Sequence, residues 1–323
     1  MKMKLNQDII TTINKYIPSN IKLVPYLMDK LQLSKESVYR RIKGDVPFTF
    51  DEMSLLSTEL EFSLDEVLTQ NYKRSYINLP EKDGFDPVES FLFTLRDYYG
   101  FIKNLHNTTE SHLTIVMNQV LPVFMVNSEL LFKITYFKWL HQTKSLPPDY
   151  SFSDFVLPAE INDLRKKINY YAKLPRNITL LIDREIYISI IREIQYFYRR
   201  KLIPDKDLLL LKNELLDLVK EIEEASVKGS IYLNNKFLVY ISAFDIISNM
   251  AYADFDGKIT SYSWPYPVYA IISKDPDICG WHKSWIDSLI EYSTLITKSN
   301  DMLRVDFFKK QYDAINNMDQ ATY

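Results

Sequence analysis

The chain has 323 residues, 46% of them hydrophobic, and a formal net charge of −3 at pH 7. This length suits two or three domains with a sizeable core, and the slightly acidic balance excludes a protein that binds polyanions over its whole surface. The six glycines are isolated, which excludes a Walker-type phosphate loop and a GxGxxG dinucleotide fingerprint. Because the chain as a whole is slightly acidic, any nucleic-acid interface must be a local patch.

Cysteine content and hydropathy bear on where the protein works. The single cysteine, Cys279, excludes an intramolecular disulfide and a four-thiolate zinc site. The first residues, MKMKLNQDII, lack the apolar run of a signal peptide, and no stretch of about 18 uncharged apolar residues follows. We therefore expect a cytoplasmic protein with no membrane contact.

Five short helices are predicted near the N-terminus, and they define a domain over residues 1–72. The third helix, 35–43, has Ser34 as its N-cap and Gly44 as its C-cap. The fourth and fifth helices open with the capping boxes Thr49-Phe50-Asp51-Glu52 and Ser63-Leu64-Asp65-Glu66. The first helix is predicted over residues 5–16, and Pro18 ends it. The second helix is predicted to carry Pro25 in its first turn.

The third helix carries a strong local positive charge. Residues 35–43 contain four bases and one acid in a chain that is acidic overall. Arg40 suits guanine O6 and N7 in the major groove, and Arg41 or Lys43 suits a phosphate. An ordinary helical bundle with one basic helix is the alternative. With Val38 and Ile42 facing inward, the outward set is Lys35, Glu36, Tyr39, Arg40 and Lys43.

The stretch LSKESVYRRIKGDVPFTFDEMSLLSTELEFSLDEVL resembles the lambda-repressor-like (Cro and XRE) helix-turn-helix family. The likeness lies in the cap serine, the Val-Tyr-Arg-Arg-Ile-Lys-Gly recognition helix and the two capped helices after it, and it covers about residues 5–70. It implies a bacterial-type transcriptional regulator that binds double-stranded DNA as a homodimer. By that resemblance, the DNA-facing and phosphate-facing positions are Ser34, Lys35, Glu36, Ser37, Tyr39, Arg40 and Lys43.

Three residues depart from the pattern of that family. Gln32 stands where a turn glycine is common, and Met28 stands where a small alanine usually lets the two helices approach. Val24 replaces a glutamine often found at the start of the second helix. These departures concern the helix crossing and one phosphate contact, whereas the fold is expected to be kept.

Residues 73–84 are polar, contain Pro80 and Gly84, and are predicted to be a linker. Residues 85–323 are predicted to form a regulatory or oligomerisation domain that is helical over 85–228, with an antiparallel sheet plus helices over 229–323. The expected fold class is therefore mainly α, with a small antiparallel sheet near the C-terminus (α+β). The predicted elements before Gly229 are helices at 86–106, 122–142, 158–173, about 183–201 and 205–226, and a strand at 112–117.

The helix at 205–226 has apolar residues at a strict spacing of three and four, which is typical of a coiled-coil seam. The run is shorter than the three to four heptads usually needed, and Leu209, Leu210 and Leu216 widen the stripe. A dimer zipper and a core helix within one chain therefore both remain open. The seam consists of Leu208, Leu211, Leu215, Leu218, Ile222 and Ala225.

After Gly229 the apolar period changes from that of a helix to that of a strand. Asn234-Asn235 is predicted to turn a hairpin between 230–233 and 236–241, and Asp256-Gly257 a second hairpin between 247–255 and 258–264. A further strand is predicted over 268–273, and helices over about 281–298 and 301–316.

The densest aromatic run of the second half is YSWPYPVY, residues 262–269. Small-molecule sites are apolar and aromatic with few polar groups, so this run is a candidate effector pocket. A sheet face packed on helices uses the same residue types, and that alternative also stays open. The candidate pocket residues are Tyr262, Trp264, Tyr266 and Tyr269.

Other chemistry finds little support in the sequence. Cys279 and His282 offer two ligands where a zinc site needs three or four, so no metal is expected. No GxSxG elbow is present, and Cys279 has no identifiable base, so we expect neither enzymatic activity nor a cofactor. The sequence thus predicts a sequence-specific DNA-binding regulator with a sensor or dimerisation domain. The alternative is a protein-interaction scaffold that uses the N-terminal bundle without specific DNA binding.

Overall fold

The chain divides into two compact units, Met1–Pro80 (unit 1) and Glu81–Tyr323 (unit 2). The predicted linker at 73–84, and all of the predicted fifth helix except Leu64, lie outside the described residues. The computed structural model describes residues 2–17, 21–60, 62, 64, 86–106, 108, 110–172, 177–231, 235–265 and 270–320.

Unit 1 is a bundle of short helices around one small core. Each helix turns an apolar face inward, since residues three and four apart share a face. The buried residues of this core are Ile13, Ile17, Leu27, Val38, Met53, Leu56 and Phe62. The helices are α1 (Lys2–Tyr16), α2 (Leu23–Leu31), α3 (Lys35–Lys43) and α4 (Phe50–Leu60).

Unit 2 is a sheet with helices on both faces. Its first half, in chain order, contains α5 (Pro87–His106), β1 (Ser111–Met117), a 3₁₀ turn (Pro122–Met125), α6 (Glu129–Gln142), α7 (Ala159–Ala172), β2 (Asn177–Ile182), α8 (Ile188–Arg199) and α9 (Asp205–Lys228). Its second half contains β3 (Lys236–Ser242), β4 (Asn249–Phe255), β5 (Lys258–Trp264), β6 (Ile271–Ser273), α10 (Pro276–Glu291), β7 (Ser293–Leu295) and α11 (Asp301–Asn316).

The described strands form one mixed sheet in the order β6-β5-β4-β1-β2-β3-β7. β1, β2 and β3 run parallel at its centre, and the remaining pairings are antiparallel. The prediction of a small antiparallel sheet near the C-terminus is therefore wrong, because the strands span residues 111–295. Parallel strands pair across long helical crossovers and leave no turn signal in the sequence, and so β2 (NITLLI) was missed.

The two predicted hairpins had different outcomes. The hairpin at Asp256-Gly257 is confirmed: both residues have positive φ, 51° and 77°, and β4 pairs with β5. The hairpin predicted at Asn234-Asn235 is not tested, because residues 232–234 lie outside the described residues.

Alternate residues of each central strand face different helices. Leu113, Ile115 and Met117 of β1 join the large core formed with α5 to α9 and α11. Val116 of β1 and Leu181 of β2 point to the opposite face and pack in the cluster that includes Ile286 and Leu289 of α10. Among the described residues, no helix is both long enough and apolar enough to cross a membrane.

The apolar seam of α9 lies inside unit 2. Leu211 and Leu215 are fully buried within the same core as the sheet, so this chain itself covers the seam. Leu209 and Leu210, at 58% and 41% exposure, lie outside that core. The structure therefore agrees with the core-helix interpretation of 205–226.

Candidate nucleic-acid interface

The turn between α2 and α3 keeps a tight shape without glycine. Gln32 ends α2 with φ 51°, a left-handed conformation that usually favours glycine. The backbone N–H groups of Gln32 and Leu33 both donate to the Met28 carbonyl oxygen, and Gln32 Nε2 donates to the Asp29 carbonyl oxygen at 2.6 Å. The side chain thus reinforces the turn locally.

Both ends of α3 are held by side chains. The Ser34 hydroxyl accepts the Ser37 backbone N–H at 3.3 Å, as its predicted role as N-cap requires. At the other end, Gly44 adopts φ 80°, and Asn6 Nδ2 of α1 donates to the carbonyl oxygens of Arg41 and Ile42 at 3.1 Å each. These contacts fix the axial position of α3 against α1.

The outer face of α3 remains open to solvent. The side chains of Lys35, Glu36, Arg40 and Lys43 are exposed, and Tyr39 is 44% exposed. The predicted inner residue Val38 is fully buried. The face therefore presents three cations and one acid with an aromatic ring between them, on a helix that is clamped at both ends.

Arg41 has a different environment from the other bases. Its guanidinium makes a two-point contact with Glu52 of α4, with Nε to Oε2 at 2.9 Å and Nη2 to Oε1 at 2.7 Å. The Arg41 side chain is only 13% exposed. It therefore ties α3 to α4, and this geometry does not direct it toward an external phosphate.

Glu52 is shared between this ion pair and the predicted capping box of α4. The Thr49 N–H donates to Glu52 Oε2 at 2.9 Å, and the Glu52 N–H donates to the Thr49 hydroxyl at 3.2 Å, which confirms the box. Burial raises the pKa of Glu52, but the hydrogen bonds from Arg41 and from the Thr49 N–H outweigh it, and the net shift is downward.

We expect Glu52→Gln to destabilise unit 1 by about 1–2 kcal/mol at pH 7, because glutamine keeps the capping hydrogen bond but loses the charge that faces Arg41. A carboxyl whose pKa is lowered in the folded state contributes stability above its unfolded value, near 4.5, and loses it as pH falls through the folded value. The difference in the free energy of unfolding between wild type and variant should thus shrink well below pH 4.5. Hydrogen exchange of the α3 and α4 amides measures it.

Glu59→Gln is the matched control for that experiment. Glu59 pairs with Lys30 at 2.5 Å, but the two side chains are 39% and 34% exposed, and such surface pairs contribute less than about 1 kcal/mol. A Glu52→Gln effect no larger than that of Glu59→Gln, or one independent of pH, would contradict the assigned role of the Arg41–Glu52 pair.

The predicted aromatic pocket is only partly within the described residues, since Tyr266 and Tyr269 lie outside them. Tyr262 is 8% exposed. Its ring is nearly parallel to that of Trp264 and packs edge-on against that of Phe101, with 5.9 and 4.8 Å between the respective ring centroids. Burial raises its pKa. Tyr262 therefore packs between the sheet and α5, as the core alternative expects.

Trp264 lies at the boundary of two small cavities. One, of about 30 Å³, is also lined by Asn249; the other, of about 50 Å³, is apolar and also lined by Phe91. Asn249 Oδ1 accepts the Asn118 N–H at 2.9 Å, while its buried Nδ2 has no hydrogen-bond partner among the described residues. Cavities of this size hold a few waters, so a larger effector requires side chains to move.

Cys279 and His282 are both on α10. The Cys279 thiol is buried and lies 3.3 Å from the Ser273 carbonyl oxygen. Across the described part of the chain, no group of three or more His, Cys, Asp or Glu side chains is arranged to hold a metal ion.

Comparisons with known proteins add no relative. None of the family models, curated proteins or solved structures compared with this chain matches it.

Proposed function

We propose that this protein is a sequence-specific DNA-binding transcriptional regulator in which α3 enters the major groove. The observation that carries the proposal is the exposed basic face of a short helix that is capped at both ends and braced by α1, α2 and α4. A DNA reader needs this combination, because the groove admits one helix and the contacts must be held in place.

The residues of α3 then divide by role. Arg40 reads a base, most simply guanine through O6 and N7, while Lys35 and Lys43 neutralise phosphates. The N-terminal turn at Ser34 and Ser37 lies where a helix end favours anions. Arg41 supports α3 from the side that faces α4, because its ion pair with Glu52 joins the two helices. The protein works as a homodimer on two half-sites about one helical turn apart.

Unit 2 is proposed to supply dimerisation, effector sensing or both. Exposed apolar side chains on α10 support dimerisation, since Trp281 is 79% and Trp285 is 53% exposed and a partner would bury them. Because the seam of α9 is buried in the core, a dimer interface uses another surface. We place the protein in the cytoplasm.

A salt titration on duplex DNA tests the proposal. We expect log K to fall linearly with log salt, and the Lys35→Gln/Lys43→Gln double variant to reduce that slope by about 2, since each neutralised phosphate contributes about 0.9. Fluorescence anisotropy of a labelled random duplex measures the slope. Lys309→Gln/Lys310→Gln, on the exposed face of α11, is the charge-matched control and should leave the slope unchanged.

Absence of binding at about 50 mM salt would contradict the proposal, because non-specific duplex affinity is strongest at low salt. That outcome would favour the protein-interaction alternative for unit 1. An equal loss of slope in the control variant would mean that the charge of the whole chain, and not α3, governs the attraction.

A further inference from the structure

A broad groove lies on the surface of unit 2 between α6 and α8. It is open to solvent and has a volume of about 800 Å³, within the range typical of small-molecule sites. The segment after α6 closes one side with Lys144 and Leu146, and α8 forms the other side with Arg192 and Tyr196. Residues from 138 to 200 meet here, so no local sequence pattern marks the groove.

The lining of this groove is strongly cationic. Its described lining contains four cations, Lys138, Lys144, Arg192 and Arg200, and one acid, Glu193, which pairs with Lys138 at 2.7 Å. The formal charge of this lining is therefore +3, in a chain whose net charge is −3. Concave walls of one charge sign concentrate the field and attract counter-charged solutes. The charge of the groove therefore favours an anionic ligand.

One residue of the groove lining, His141, carries a buried polar atom. Among the described residues, its Nε2 has no hydrogen-bond partner, although buried polar atoms are normally paired. The imidazole ring packs against Phe137 and Phe197, with 4.5 and 5.2 Å between the respective ring centroids. Burial, together with the nearby Arg200, lowers the pKa of His141, so the ring is neutral at pH 7.

Arg200 has an aromatic neighbour. Its guanidinium lies over the Tyr196 ring at 5.5 Å, and one nitrogen donates to the Pro148 carbonyl oxygen at 3.5 Å. Tyr196 is 56% exposed, and Leu146 and Phe197 add apolar surface to the lining. A planar guanidinium suits bidentate binding of phosphate or carboxylate, here beside the apolar surface of Tyr196 and Leu146.

We infer that this groove binds a small organic anion with two or more negative charges beside an aromatic or apolar part, the chemistry of a nucleoside diphosphate. The cations hold the anionic groups, and Tyr196 and Leu146 cover the organic part. This inference goes beyond the proposed function and does not depend on DNA binding by α3.

Isothermal titration of the full-length protein with ADP, pyrophosphate and adenosine at about 50 mM salt tests the inference. We expect ADP to bind most tightly, pyrophosphate more weakly and adenosine not measurably, with ADP affinity falling as salt rises. Lys144→Gln/Arg200→Gln should weaken ADP binding by about tenfold or more, because it removes two charged partners. Lys309→Gln/Lys310→Gln, equal in charge change and on α11, should bind ADP as the wild type does.

Three results would overturn the inference. The first is no binding of ADP or pyrophosphate at millimolar concentration. The second is an ADP affinity that is unchanged in Lys144→Gln/Arg200→Gln. The third is a loss of duplex-DNA affinity alone in that variant, which would make the groove a nucleic-acid surface. If the double variant does not fold by circular dichroism, Lys144→Gln alone replaces it, because that side chain is exposed. A severalfold loss of ADP affinity is then expected, and no loss refutes the inference.

Discussion

Arg40→Ala is expected to weaken binding to a specific DNA site by about 5- to 150-fold, equivalent to roughly 1–3 kcal/mol. Arg40 is exposed on the outer face of α3, one turn before the cap at Gly44. A bidentate arginine–guanine contact carries base discrimination, so its loss affects the specific site more than random DNA. Because the side chain is exposed, the fold should be kept.

The measurement needs a site selected from a random duplex library with the wild-type protein. Affinities for that site and for random duplex are then compared in wild type, Arg40→Ala, Arg40→Lys and the control Lys309→Ala. Arg40→Lys should recover the salt-dependent part but not the discrimination, because lysine is a point charge without a planar fork. Unchanged affinity of a folded Arg40→Ala protein for the selected site would refute the assignment of Arg40 to the groove.

Leu215→Glu is expected to unfold unit 2 or to destabilise it by more than about 4 kcal/mol. Leu215 is fully buried on α9, so the change removes a packed side chain and buries a carboxylate with no partner. Thermal unfolding followed by near-ultraviolet circular dichroism reports the loss, because many aromatic rings of unit 2 lie in the same core.

Leu209→Glu is the matched control on the same helix. Leu209 is 58% exposed, so the same substitution should change the free energy of unfolding by less than about 0.5 kcal/mol. Light scattering on both variants separates the two interpretations of the 205–226 seam. A Leu215→Glu protein that folds normally but loses a dimer would show that the seam is an intermolecular contact after all.

Much of unit 1 could be predicted from local sequence signals. Ser34 caps α3, Gly44 ends it in a left-handed conformation, and Thr49 and Glu52 form a reciprocal capping box. These interactions join residues within four positions of each other, so the sequence displays them directly. The exposure of Arg40 follows in the same way from the burial of Val38.

The contacts that join distant segments were not predictable. Arg41 was expected at a phosphate, but Glu52, eleven residues later, binds it, and Asn6 of α1 holds the end of α3. Either partner could be exchanged for another polar residue without altering any apolar period. The position of α3 therefore depends on interactions that its own sequence does not reveal.

The sheet of unit 2 shows the same limit on a larger scale. The hairpin at Asp256-Gly257 was predictable, because both of its strands and its turn are adjacent in the chain. The central ladder of β1, β2 and β3 joins segments about 60 residues apart, for example Leu113 with Ile178 and Ile178 with Phe237. A short apolar run such as β2 fits a strand or a buried helix equally well until its neighbours are known.

By itself, the sequence determined the caps of α3 and α4, which face of α3 is apolar and that α3 carries a basic outer surface. Only the tertiary structure decided that a mixed sheet organises unit 2, that Arg41 faces inward, and that cations at Lys144, Arg192 and Arg200 share one groove. The physical reason is the range of the interactions. Caps and periodicity act within a few residues, whereas parallel pairing and charge clustering depend on which distant segments the core brings together.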